Sequence, residues 1–468
     1  MGRPTAPAAS TDETREQITA SPWLAFWIAS SAVFLVSLDS TMLFAAFEAL
    51  RQSFAGSSTA TLSWVLNAYT VVYAAMLIPA GGLADAYGRK RLFQIGLVGF
   101  VIASVACGLA PSVEWLIVAR VLQALGAALL TPASMSIVLA AFQSERRALV
   151  ISLWGAVGGL AAAVGPSLGS WVAAHVGWPW AFYINVPMGL WALWRSNSQI
   201  EEAELPVERR SVDVVGLLLL MAAVGGVAMA IVESGSPAWN REQIAAVAGG
   251  GLLAGVAFVL WARVCAAPLL DLALFKHPTY RFVNAATLTF GTAFSMMFLG
   301  FFFFMTEIWH YTVPQAGLAI TPGPLMVMPT AVIAGRLAGR LGHRPFLVGG
   351  SVLYACSSLW LMMVPGTQPD YLHHWLPGLL MSGIGVGLVL PSLSGAAVSR
   401  LPPEHYAVGA AFNQATRQIG SVLGVAITVG LLGHRGLVLS DFNMLYGLHV
   451  ALALLTGVLC LPVKTRSG

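Results

Sequence analysis

Gly81-Gly82-Leu83-Ala84-Asp85-Ala86-Tyr87-Gly88-Arg89-Lys90-Arg91 lies between two long apolar stretches and returns in weaker form farther along the chain. Adding 254 to each number gives Gly335-Arg336-Leu337-Ala338-Gly339-Arg340-Leu341-Gly342-His343-Arg344-Pro345. Glycines 81, 88 and 96 map onto glycines 335, 342 and 350, and Lys90 maps onto Arg344. A short basic hairpin that occurs twice between apolar helices implies a membrane protein built from two related halves. That is the architecture of an alternating-access transporter.

Composition agrees. The 468 residues are 57% hydrophobic and 9% charged, with a mean hydropathy of +0.77. A soluble domain carries about a quarter charged residues, so the solvent for this chain is lipid. The net charge of +4 is small, and no basic stripe interleaved with aromatics points to nucleic acid. Cys107, Cys265, Cys356 and Cys460 form no C-x-x-C pair, so neither a metal site nor a disulfide framework follows. Residues 1–21 are polar, with mixed charge and no apolar core, and read as a cytosolic tail.

A spanning helix needs about 20 mostly apolar residues, and the chain offers fourteen such stretches, from 22–49 to 445–463. With the N-terminus inside, 19 of the 24 basic residues fall on the cytosolic side, as the positive-inside rule requires. Only Arg51, Arg241 and Arg435 fall outside, and Arg120 and Arg417 fall within spans. The two hairpins are eight spans apart, so two helices are inserted between six-helix halves. The expected fold is an all-α integral membrane protein of fourteen transmembrane helices, two pseudo-symmetric six-helix bundles plus an inserted pair. Its parts are a tail (1–21), an N-terminal bundle (22–195), a linker with the inserted helices (196–265) and a C-terminal bundle (266–468).

The motifs resemble the major facilitator superfamily, and more narrowly its fourteen-span drug/proton antiporter branch. The hairpin fits G-x-L-A-D-x-x-G-R-K at Gly81, Leu83, Ala84, Asp85, Gly88, Arg89 and Lys90. Arg120-Val121-Leu122-Gln123-Ala124-Leu125-Gly126 is close to R-x-x-Q-G-x-G, with Ala124 in place of the usual glycine. Gly165-Pro166-Ser167-Leu168-Gly169 is similar to the antiporter signature G-P-x-L-G. Leu38-Asp39-Ser40-Thr41 matches the L-D-x-T opening, and Trp178 to Gly189 matches W-x-W-x-F-x-x-N-x-P-x-G. The branch's first helix usually continues with an asparagine and a proline, where this chain has Phe44 and Glu48.

A charge in mid-membrane needs a partner, water or a task. Asp39, in the first span, is a candidate proton carrier, because burial raises a carboxyl pKa toward neutrality. The alternative is a fixed ion pair with Arg120. Arg120 cannot deprotonate, so it reads as a permanent counter-charge coupling conformation to protonation, or as helix–helix glue. Glu307, one turn before His310, is a second candidate carboxylate for proton coupling. Glu48 and Glu233, at helix ends, read as interfacial.

Asn67, Tyr69, Tyr73, Gln123, Trp154, Asn413 and Arg417 are candidates for a substrate cavity. Of the run Phe301–Phe304, at most two rings are expected to face that cavity and the others lipid. The resemblance implies that Gly81, Asp85, Gly88 and Arg89 form a cytosolic gate. It also implies that Gly165, Pro166 and Gly169 shape the helix lining the pathway.

The function these readings imply is proton-coupled antiport that exports amphiphilic small molecules or drugs across the bacterial inner membrane. Both termini are expected in the cytosol, with no cofactor and a monomeric state; the partners are substrate, protons and lipid. No GxxxxGK[ST] loop is present to cradle ATP. A dedicated exporter of one metabolite shares every motif. A membrane-embedded enzyme would need a catalytic cluster at one depth, and His373-His374 is the only adjacent histidine pair.

Overall fold

A computed structural model describes residues 21–143, 146–200, 213–234, 238–401, 406–433 and 436–465. Residues 1–20 of the expected tail and the acidic stretch of the linker, 201–212, lie outside the described residues, as does the side chain of Asp85.

The described residues form helices and no strands. The N-terminal set is α1 (Pro22–Ser53), α2 (Thr59–Tyr87), α3 (Arg89–Gly108), α4 (Val113–Ala141), α5 (Arg147–His175), α6 (Trp180–Tyr183) and α7 (Asn185–Gln199). The pair α8 (Val214–Glu233) and α9 (Arg241–Val264) follows. The C-terminal set is α10 (Pro278–Phe303), α11 (Val313–Ile320), α12 (Pro322–Leu341), α13 (Arg344–Met363), α14 (Leu376–Val398), α15 (Tyr406–Leu432) and α16 (Leu439–Cys460). A π-helical turn, Phe304–Ile308, extends α10.

Among the described residues, thirteen helical stretches are long and apolar enough to cross a membrane. The expected sixth span, 178–194, is the broken pair α6–α7. The helix parts at Ile184, and Asn185 and Pro187 open the 15-residue α7. A proline there supplies no N–H to bond back to the preceding turn, and Asn185 spends its side chain on a neighbour instead.

Both hairpins turn on a glycine in the left-handed region. Gly88 (φ 94°) separates α2 from α3, and Gly342 (φ 77°) separates α12 from α13. Only glycine reaches that conformation without a Cβ penalty, so the repeat seen as letters recurs as backbone geometry. Elsewhere, polar residues cap the orphan N–H groups of helix starts: Ser58 accepts from Thr61 (3.0 Å) and Ser112 from Trp115 (3.3 Å). Asn240 and Gln243 form a reciprocal box.

Asp213 ties the inserted pair together. Its carboxylate accepts from Gly216 N (2.8 Å), the Trp261 indole (2.8 Å) and Leu269 N (2.9 Å). Burial alone pushes this carboxyl up, but those donors outweigh it and hold it below the usual range.

α5 lies along α1, and α15 lies along α10. Both crossings use a glycine pair four residues apart. A Cβ on Gly169 would sit 2.7 Å from Met42 Cα, and one on Gly420 would sit 2.5 Å from Leu288 O. Small residues let membrane helices approach this closely. The two sets meet along two seams, α2 with α15, and α5 with α11 and α12. α8 packs against both α2 and α15, one helix from each set.

One sequence expectation fails here. Phe301, Phe302, Phe303 and Phe304 are all buried. α10 is enclosed by α1, α14, α15 and α16 and has no lipid face at this depth. Phe301 and Phe304 pack on Trp375, with ring centroids 5.0 and 4.9 Å apart, and Phe304 also meets Phe442 at 5.1 Å.

Candidate functional site

Asp39 lies on the inner face of α1, and its side chain and that of Arg120 are each 1% exposed. Arg120 Nη1 donates to Asp39 Oδ2 (2.6 Å) and to Gln123 Oε1 (2.6 Å). Its Nε donates to the Val65 carbonyl at 3.1 Å. The guanidinium lies over the Tyr69 ring, 3.9 Å from the centroid. The other carboxylate oxygen, Oδ1, accepts from Gln123 Nε2 (2.8 Å) and Asn185 Nδ2 (2.8 Å). Gln123 also donates to Ser104 Oγ at 2.9 Å. Helices α1, α2, α3, α4 and α7 thus converge on one charge pair inside the N-terminal set.

The Asp39 carboxylate has both oxygens engaged by this network. Its attraction to Arg120 is strong away from water, and charge-assisted donors fill both oxygens. Asn67 and Tyr69 border the network on α2: Asn67 is fully buried with both amide atoms unpartnered, and the Tyr69 hydroxyl is likewise unpartnered.

A second charged group lies at the end of the bundle away from the hairpins. Arg51 bonds Glu48 (2.7 Å) on its own helix and reaches Glu307 in the π-helical turn after α10. One guanidinium therefore bridges the two sets. Phe47 and Phe303 pack beside it with centroids 6.2 Å apart. Gly317 on α11 fits against the Pro166 carbonyl, where a Cβ would come within 2.6 Å, and Ser167 hydrogen-bonds Thr321.

These ion pairs are about a quarter exposed, so each contributes roughly 0.2–1 kcal/mol. Arg51→Gln is accordingly expected to speed backbone hydrogen exchange over 304–308 several-fold. Unchanged exchange there would mean that the aromatic packing holds this joint alone.

The remaining candidates divide. Tyr73 hydrogen-bonds Thr131 (2.9 Å) and faces Gln414 and Arg417 across the α2–α15 seam. Trp154, half-buried, donates to Ser134 at 3.3 Å. Asn413 bonds Asn284 (3.1 Å) and Thr287 (2.8 Å), so it fastens α15 to α10. Gln123, expected in the cavity, is fully buried in the Asp39 network. Gly165 and Gly169 press on α1 at Thr41 and Met42. Around Gly81 there is open space, Arg89 begins α3, and Asp85 lies outside the described side chains.

The Major Facilitator Superfamily profile matches residues 29–211 and 285–467, leaving α8 and α9 unmatched. The chain belongs to the Major Facilitator Superfamily. Within that superfamily it is 32% identical over 402 residues to the multidrug resistance protein Stp of Mycobacterium tuberculosis, covering 86% of this chain and 74% of that protein. It is 31% identical over 463 residues to the puromycin resistance protein pur8 of Streptomyces alboniger, covering 94% and 89%. Among solved structures, the xylose transporter XylE of E. coli, in a partially occluded inward-open conformation, superposes with a TM-score of 0.64 at 14% identity. That match covers 94% of this chain and 96% of XylE. A multi-pass superfamily transporter that takes small-molecule substrates is the resulting identity, and the two relatives named above are a multidrug and a puromycin resistance protein.

Sequence reasoning missed several partners in this superfamily member. Ser104 carries no signal, being one small polar residue in an apolar span. Asn185 was visible only as a motif position. Arg51 did carry a signal, as one of the few basic residues on the wrong side of the positive-inside count.

Proposed function

We propose that the chain is a fourteen-span, proton-coupled antiporter. It exports amphiphilic small molecules across the bacterial inner membrane by alternating access, as a monomer with both termini in the cytosol. The observation that carries the reading is the Asp39–Arg120 network, a buried carboxylate whose only charged partner among the described residues cannot lose its proton. Protonating Asp39 cancels the attraction and frees Arg120 to settle on Gln123, Val65 and Tyr69. The last two lie on α2, and Tyr69 stacks on Tyr73 (centroids 5.8 Å apart), which faces α15. A proton at Asp39 therefore acts on the seam between the two sets.

The bridge Glu48–Arg51–Glu307 supports a closed outer face, with the hairpins on the cytosolic side. The relatives' resistance names support drug-like cargo, and the unmatched α8–α9 pair supports the inserted-helix branch. A proton moving inward across 100 mV supplies about 2.3 kcal/mol, enough for roughly a fifty-fold gradient of a neutral substrate.

The test is the full chain in proteoliposomes with an imposed pH gradient and a panel of cationic, neutral and anionic dyes. Uphill dye movement is expected only while the gradient stands, with matching proton flux from an entrapped pH indicator. Uphill movement that persists after a protonophore collapses the gradient would overturn the coupling.

A further inference from the structure

The charges in the membrane core are unequally matched. Asp39 is committed to Arg120, and Glu48 and Glu307 share Arg51. Glu233, the last residue of α8, sits at the bundle end. Arg417 stands apart. It lies near the middle of α15 and is half-buried, and its Nε donates to Gln414 Oε1 at 3.3 Å. No described carboxylate lies in ion-pair range of it. Asp85 is twelve residues beyond Tyr73 on α2, about 18 Å along the helix at 1.5 Å per residue.

An arginine keeps its charge at every working pH. A lone guanidinium at mid-membrane is costly, and a seam that meets substrate is where an incoming anion would relieve the cost. The surroundings suit an oxyanion. Gln414 and the Tyr73 hydroxyl lie beside the guanidinium, and the Gln414 amide can add a donor to an acceptor bound there. Gly291 packs on the Arg417 backbone, placing α10 at the same depth. From there an aromatic row runs toward the far end of the bundle: Phe294 to Phe298 at 5.6 Å, then Phe298 to Phe44 of α1 at 5.8 Å.

We infer that Arg417 is the head-group site of the substrate cavity and selects anionic aromatic amphiphiles, a carboxylate or sulfonate on an aryl body. This rests on the export reading above and gives it a substrate charge. The anion binds at Arg417 with its ring along Phe294 and Phe298. A cationic analogue of the same shape meets an unscreened like charge there and is disfavoured.

The probes are naphthalene-2-sulfonate, 2-naphthylmethanol and 2-naphthyltrimethylammonium, which share a ring system and differ in charge. Two readouts on the full-length chain are used: thermal-shift binding in detergent, and transport of the two charged probes by proteoliposomes. The sulfonate is expected to bind at least about tenfold tighter than the ammonium, the scale of one charge-assisted hydrogen bond. Arg417→Gln should reduce the ratio to within about twofold, and Arg417→Lys should keep part of it.

Equal binding of sulfonate and ammonium by the wild type overturns the inference, even if both are exported, and leaves the export reading standing. So does a ratio unchanged in Arg417→Gln. Sulfonate binding that depends on Arg417 without any transport supports the anion site and counts against export. If no probe binds, the anion site falls. Should Arg417→Gln not fold, the Lys variant and the wild-type ratio still decide.

Discussion

Asp39→Asn is expected to end pH-driven uphill transport and to cost about 3–5 kcal/mol of stability, because it strands the Arg120 charge in a dry interior. The asparagine nearly matches the shape of the aspartate, so the loss is electrostatic. Its NH2 replaces either the oxygen that accepted from Arg120 or the one that accepted from Gln123 and Asn185, so a donor faces a donor on one side. Pairing it with Arg120→Gln removes both charges and should recover most of the lost thermal midpoint without restoring transport. That split separates a coupling pair from a structural one. If Asp39→Asn still concentrates dye in response to a pH gradient, the proton carrier lies elsewhere. If the double variant is no more stable than the single, Arg120 was not stranded.

The second large effect is steric. Gly169→Val should abolish folded protein or lower its stability by more than about 3 kcal/mol. Its Cβ would press within 2.7 Å on the backbone of Met42, both Cα and O, and backbone cannot rotate away. α1 would have to move off α5, and Asp39 lies one turn from that contact. Gly155→Ala and Gly159→Ala on the same helix meet nothing within 4 Å and should be neutral or slightly stabilising, as alanine is the better helix former. The measurement is yield and midpoint by fluorescence-detected size-exclusion chromatography after heating. A well-folded Gly169→Val alongside an unstable Gly159→Ala would show that the crossing is not where the strain falls.

What could be read from the letters alone follows a physical division. Periodic, covalent or solvent-driven features were legible. The hairpin repeat reappears as Gly88 and Gly342 at positive φ, and the long apolar runs became helices. The Asp39–Arg120 pairing was foreseen as one alternative because two opposite charges in lipid have few other options. Features that depend on which helix neighbours which were not legible. Phe301–Phe304 went to a fully enclosed helix, which no single-helix pattern distinguishes from a lipid-facing one. Gln123 and Asn413 looked like cavity donors because they are polar. Whether such an amide meets water or another helix is set by packing partners more than 60 residues away in sequence, Asp39 for one and Asn284 for the other. Glu307 looked solitary because its cation, Arg51, is 256 residues distant.

The placement of α8 against both α2 and α15 makes the two sides of the protein mechanically different. If the two sets rock against each other as proposed, both seams must slide. On the α2–α15 flank a helix already spans the gap, so that side behaves like a gasketed door, with α9 behind it as a backing plate. Among the described residues, the α5–α11–α12 flank has no such cover. Molecules dissolved in the bilayer therefore meet a one-sided surface, with one seam bare and the other roofed by a helix outside both sets.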